Sequence, residues 1–220
     1  MKQKLLAEFL GTALLLMVVV GSGIYGETLS SGNTAVALLA NSIATGAGLY
    51  VLITLLGPIS GAHFNPIVSL YLRARGELNT RTCAGYTLAQ ISGGIAGVWL
   101  THYLYALPIL QASHKVRTGG TQWTSELVAA ALLLLAIKLS LEHAREKVAL
   151  VVAMLVTAGY WFTSSTFFAN PAVTIARALT DTFAGIRPED IPAFIVAQLL
   201  ALLLVLMATK TCSAEPVSGH

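Results

Sequence analysis

Two Asn-Pro pairs, Asn65-Pro66 and Asn170-Pro171, stand 105 residues apart within long apolar runs, and no other feature restricts the fold as much. Proline lacks the N–H that a helix interior would use, yet it fits the first helical position, and the residue before it disfavours helix. Each pair therefore predicts a helix that starts at the Asn, in the middle of apolar sequence. From Asn170 to Leu179 is ten residues, roughly 15 Å of helix, or half of a hydrocarbon core about 30 Å thick. A stub of that length enters a membrane without crossing it.

With 55% hydrophobic and 10% charged residues, the chain reads as an integral membrane protein whose apolar surface faces lipid. Apolar segments predict six spans, at Leu5–Val20, Ala35–Leu56, Cys83–Tyr103, Glu126–Leu141, Val148–Phe168 and Ile191–Ala208. One Asn-Pro stub follows the second span and the other follows the fifth. Each half is thus three spans and a half-helix, and Ala7-Glu8-Phe9-Leu10-Gly11 bears a weak likeness to Ser125-Glu126-Leu127-Val128-Ala129. Three is odd, so the second copy enters the membrane from the opposite side. The expected fold is all-α: six transmembrane helices plus two re-entrant half-helices in an inverted repeat. Residues 1–210 would form one membrane domain, with repeats at about 1–103 and 123–210, and the tail 211–220 is expected to be disordered.

Lys and Arg in the short loops set the orientation. With the N-terminus inside, Lys2, Lys4, Arg73, Arg75, Arg81, Lys138, Arg145, Lys147 and Lys210 fall on the inner face, against Lys115, Arg117 and Arg187 outside. Nine against three predicts that both termini are cytoplasmic. Leu104 to Gln122 is then the long external loop, and Gly21 to Thr34 a shorter external turn. Lys2 to Gly23 imitates a signal peptide, but Glu8 inside the run argues against one. Cys83 and Cys212 lie near predicted helix ends on the inner side and are expected to be unpaired.

Non-helical backbone at membrane depth persists only where protein covers it or water reaches it. The runs Gly57 to Phe64 and Thr163 to Ala169 are expected to be irregular, so they imply an aqueous path beside them, which their carbonyls can line. Each half-helix N-terminus carries roughly half a positive elementary charge. Two of them converging, with the Asn65 and Asn170 amides inward, would orient a water so that both its protons point away, which breaks a proton wire and repels cations.

At this point the sequence resembles the aquaporin and aquaglyceroporin family. The likeness rests on Ala7-Glu8-Phe9-Leu10-Gly11-Thr12, Ser60-Gly61-Ala62-His63-Phe64-Asn65-Pro66, Ala89-Gln90-Ile91-Ser92-Gly93-Gly94 and Asn170-Pro171-Ala172. The first motif departs from the family pattern by ending in Ile67 instead of Ala. The resemblance implies a homotetramer in membrane lipid, each monomer with its own pore for water and small solutes. Family members usually carry Arg three residues after the second Asn, where this chain has Val173. Carried over by spacing, the other constriction positions are Thr45, Ala158 and Phe167, and together with Val173 they make a wider, less polar ring than strict water selectivity needs. Val173 with Thr45 resembles a bacterial subgroup associated with efflux of methylated arsenicals, which implies an inner-membrane location and leaves arsenicals, glycerol-like polyols and other small solutes open as cargo.

Arg177, four residues beyond Val173, shares its helical face. It either sits in the outer vestibule and attracts polar or anionic solutes, or it snorkels to the interface or caps a carbonyl. His63 lies on the inner approach to the pore, as a solute contact, a pH-sensitive gate or a structural bond to its loop. Glu8 and Glu126 are intramembrane carboxylates. The resemblance implies that they support the two loops through backbone hydrogen bonds, against a proton-relay role. Gln90 and Gln198 occupy matching spans and are expected to bond loop backbone, and Gly46, Gly48, Gly93, Gly94 and Gly97 to let helices approach closely.

The excess charge of +3 is dispersed, which disfavours a nucleic-acid partner. His102 and His114 lack metal-ligand spacing, and no catalytic triad, phosphate-binding glycine loop or carboxylate pair appears, so no metal, cofactor or enzymatic activity is expected. The expected function is a passive channel. The alternative, a gradient-coupled secondary transporter with a broken-helix site, would need a titratable group at the midplane.

Overall fold

A computed structural model describes residues 1–212, with side chains through Thr209. The helices are α1 (Lys2–Leu29), α2 (Thr34–Ser60), α3 (Pro66–Ala74), α4 (Thr80–Leu104), α5 (Gly120–His143), α6 (Val148–Phe162), α7 (Pro171–Arg177) and α8 (Ile191–Cys212). Six are long and two, α3 and α7, are the expected stubs, about 14 Å and 10 Å in length. The all-α fold with two half-helices agrees with the sequence expectation.

Several boundaries differ from those expected, each for a physical reason. Gly21 to Leu29 is helical, not a turn, because the glycines there serve packing: a Cβ on Gly26 would lie 2.9 Å from the Ala37 carbonyl of α2. The turn is confined to residues 30–33, where Asn33 Oδ1 accepts from the amides of Ala35 and Val36 and starts α2. Gly57 to Ser60 is helical too. Pro58 forgoes one backbone bond without ending α2, which stops at Gly61 in a left-handed cap (φ 94°). The expected span to Phe168 ends as helix at Phe162, leaving α6 only 15 residues long. The second stub ends at Arg177, short of Leu179. Residues 211–212 of the expected tail belong to α8, and 213–220 lie outside the described residues.

Four helices, α1, α2, α5 and the segment Pro188–Thr209, are long and apolar enough to cross a membrane by length and composition. Of the other two long helices, α6 is apolar but only 15 residues long, and α4 is held by packing. On α4, a Cβ at Gly97 would sit 2.2 Å from the Ala13 carbonyl of α1, so the two backbones touch. Leu6, Leu10 and Leu14 on α1, and Leu39, Ile43 and Tyr50 on α2, remain exposed, as lipid-facing or subunit-facing surface requires.

Candidate functional site

The site grows out of the two Asn residues. Each is extended, at φ −154° for Asn65 and −159° for Asn170, and each caps the helix that its proline begins. Asn65 Oδ1 accepts from Ile67 N at 3.0 Å, and Asn170 Oδ1 accepts from Ala172 N and Val173 N at 2.9 and 3.2 Å. The amide nitrogens then cross between the stubs: Asn65 Nδ2 donates to the Ala169 carbonyl (2.7 Å) and Asn170 Nδ2 to the Phe64 carbonyl (2.8 Å). This reciprocal pair holds the two N-termini tip to tip. One hydrogen of each amide is left for another acceptor.

The approach strands are strained in matching places. Ala62 and Phe64 before the first Asn, and Thr166, Phe167 and Ala169 before the second, all have φ between 46° and 58°. Left-handed non-glycine backbone costs on the order of 1 kcal/mol per residue and survives only where neighbours enforce it. Two buried carboxylates do so. Glu8 Oε1 accepts from Ser60 Oγ (2.7 Å) and His63 N (3.0 Å), while Oε2 accepts from Phe64 N (2.8 Å) and Gln90 Nε2 (2.7 Å). Glu126 Oε1 accepts from Ala169 N and from Gln198 Nε2 (3.0 Å). The glutamines continue the correspondence, Gln90 to Ser69 Oγ on α3 and Gln198 to Thr174 Oγ1 on α7.

A cavity of about 780 Å³ runs from Lys4, Glu77 and Arg145 at one end, past both Asn residues, to Arg177 at the other. Thr45, Phe167 and Val173 line it beyond Asn170. Phe167 reaches its position because residue 159 is glycine: a Cβ there would fall 2.2 Å from the ring. Ala158, however, is exposed on α6 and does not line the cavity, which corrects its expected place in the ring. Tyr160 lines it instead, its hydroxyl 3.2 Å from Thr45 Oγ1. On the other side of the Asn pair, His63 faces the cavity with Nδ1 2.9 Å from Ser69 Oγ and its ring edge-on to Tyr86.

Arg177 is buried yet lines the end of the cavity, and it caps a backbone carbonyl, as one of the two readings of the sequence had it. Its Nε donates to the Ala184 carbonyl, and its guanidinium lies 3.6 Å from the centroid of Phe168. Sequence reasoning missed two residues beside it. Arg117 is also buried, with Nε donating to the Gly185 carbonyl (2.8 Å) and its guanidinium 5.0 Å from the same Phe168 ring. Lys115 donates to the Phe183 carbonyl at 2.6 Å. Nothing in local spacing marks this pair, because the loop after α4 reaches the mouth by long-range pairing: Ser113 N to the Ala178 carbonyl, Arg187 N to the Lys115 carbonyl, and Arg117 N to Asp190 Oδ2. Among the described residues no cluster of His, Cys, Asp and Glu could hold a metal ion.

Long apolar helices around two apposed half-helices and a lined cavity define a multi-pass membrane channel. The family profile described as Major intrinsic protein matches residues 1–163, and the chain belongs to that family. It is a channel, not an enzyme. Over 217 residues it is 51% identical to "Aquaglyceroporin AqpS" of Rhizobium meliloti (strain 1021), covering 98% of this chain and 93% of that one. It is 32% identical over 187 residues to "Aquaporin-2" of Rattus norvegicus, covering 79% of this chain and 66% of that one. Among solved structures, the aquaglyceroporin from Plasmodium falciparum superposes with a TM-score of 0.74 over 93% of each chain at 18% identity, a likeness of fold alone.

Proposed function

We propose that this chain is a passive aquaglyceroporin-type channel that conducts water, glycerol-like polyols and uncharged inorganic or methylated arsenicals while excluding protons. The observation that carries this reading is the crossed Asn65–Asn170 pair facing one continuous cavity. Solute passing it meets one free N–H from each amide, and a water there accepts both and cannot relay a proton. Glu8 and Glu126 act as loop supports, their carboxylates consumed by backbone and glutamine donors. The coupled-transporter alternative has little to draw on, since Lys4, Glu77 and Glu146 come from the end of the cavity, and His63, the titratable residue near Asn65, has Nδ1 engaged by Ser69 Oγ.

Selectivity follows from the ring beyond Asn170. Val173 in place of Arg, with Thr45, Tyr160 and Phe167 lining the same cavity, supports passage of a solute carrying hydroxyls and a methyl group. The name of the 51% identical relative supports the aquaglyceroporin class. We place residues 1–210 in one channel domain of two inverted repeats, working as a homotetramer in a bacterial inner membrane with both termini cytoplasmic. The basic residues of the short loops and the exposed apolar faces of α1 and α2 support that arrangement.

Light scattering from proteoliposomes given water, glycerol, urea and neutral arsenicals tests the reading. Wild type should pass all four solutes without an ion gradient. Val173→Arg should cut glycerol and arsenical permeation by at least about tenfold, roughly 1.4 kcal/mol of added barrier, and water by much less. If the larger solutes move through Val173→Arg unchanged, the ring has been placed wrongly.

A further inference from the structure

Beyond the main cavity lies a second of about 340 Å³, lined by Lys115, Arg117, Arg177, Thr34, Thr166 and Phe183 among others. Arg177 is the one residue, among those described, that lines both cavities, so the two meet at its side chain. Three cations share this small space. Burial, and after it the charges of the two nearby guanidinium groups, pushes the Lys115 pKa down to about 8.

Bringing three cations together is costly unless something negative offsets them. The protein offers each an aromatic face, Phe168 to Arg117 and Arg177 and Phe183 to Lys115, but little formal negative charge. Glu126 acts electrostatically on Arg117 and Arg177 but offsets a single charge from its buried place behind the loop, and Glu27 of α1, which also acts on Lys115, is exposed. Asp190 is already paired with Arg187 and with the Arg117 backbone. The donors are also incompletely used. Arg177 spends only Nε on a protein acceptor, Arg117 spends Nε and Nη1, and Lys115 has one acceptor for its three hydrogens. Both Nη atoms of Arg177, Nη2 of Arg117 and two Lys115 hydrogens remain. Guanidinium forks and an ammonium arranged around one volume match the oxygens of a tetrahedral oxyanion better than they match a halide.

We propose that this second cavity is an antechamber to the pore and binds a small free oxyanion, held by Lys115, Arg117 and Arg177, whose occupancy obstructs entry of neutral solute. The proposal rests on the reading of the main cavity as a solute path. The bound ion stays at the mouth. Past Arg177 it would meet Val173 and Phe167, and no further Lys or Arg lines the cavity before Lys4 and Arg145 at the far end, so losing its water there goes uncompensated. A free ion is favoured over a lipid phosphodiester because the site adjoins, at Arg177, the cavity read above as the solute path.

Inorganic sulfate is the probe, since its charge is constant over the range in which lysine titrates. Proteoliposomes of the full chain in zwitterionic lipid, with sulfate on both sides of the bilayer, should show saturable loss of glycerol permeation relative to chloride at equal ionic strength and osmolarity. Each variant is normalised to its own sulfate-free rate. Lys115→Gln should raise the half-inhibiting concentration about tenfold, and Lys115→Arg should leave it near wild type. Lys115 loses its proton as pH rises through about 8, so inhibition of wild type should weaken between about pH 7 and about pH 10, and that of Lys115→Arg should not. Calorimetric titration of sulfate into detergent-solubilised protein should rank the three proteins in the same order. If glycerol does not move even without sulfate, the channel reading fails while the calorimetry still reports on the site. Sulfate acting no differently from chloride, identical affinity in Lys115→Gln, or inhibition that follows anionic lipid content instead of sulfate would each overturn the proposal.

Discussion

At the scale of single residues, the two buried carboxylates do comparable work with unequal satisfaction. Glu8 uses both oxygens, each with two donors, whereas Glu126 gathers its donors on Oε1 and leaves Oε2 without a partner among the described residues. Replacing Glu8 by Gln puts an NH2 against donors and should cost on the order of 3 kcal/mol. At Glu126 the new NH2 can take the place of Oε2, with the neighbouring and likewise unpartnered Ser165 Oγ as its acceptor, so Glu126→Gln should cost about 1 kcal/mol. Thermal unfolding of the detergent-solubilised variants checks the order, and a larger drop for Glu126→Gln would contradict it. Both carboxylates and both Asn residues were legible in the sequence, because an ionisable or Asn-Pro group in apolar sequence has few roles open to it. Ala158 was misplaced for a geometric reason. Counting back twelve residues from Asn170 crosses the non-helical run after Phe162, where helical spacing does not hold. Tyr160, two residues on and about 200° around α6, faces the pore instead.

Among the elements, hydropathy found the helices but not their ends or their contacts. Glycines near the end of α1 read as a turn because glycine marks both turns and close helix packing, and only the partner helix tells the two apart. α6 was overlong by six residues because the run after it, Thr163-Ser164-Ser165-Thr166-Phe167-Phe168, carries no charge and closes on two phenylalanines, so hydropathy does not mark where the helix stops. The α1–α4 contact is a testable case. Gly97→Val would drive a Cβ into the Ala13 carbonyl and push the helices apart, at about 2 to 3 kcal/mol. Gly120→Ala, at the first position of α5 with open space around it, should leave the unfolding midpoint within the error of the measurement. Equal effects from the two substitutions would remove packing as the reason for glycine at position 97.

For the whole molecule, the inverted repeat was visible as two Asn-Pro stubs and an odd number of spans per half. The asymmetry laid over it was not. The loop after α4 pairs with the segment after α7 and delivers Lys115 and Arg117 to one mouth only, through contacts about 70 residues apart in sequence that no local pattern encodes. The central claim is that solute passes alongside the joined tips of the stubs and through the ring at Val173. It is tested by glycerol permeation after a small neutral thiol reagent is added to Val173→Cys, with Cys83 and Cys212 changed to Ser and Ala158→Cys as the outward-facing control. Modification at position 173 should bring permeation down to that of protein-free liposomes, while modification at 158 leaves it intact. Full labelling at 173 with permeation unchanged would show that glycerol travels by another route.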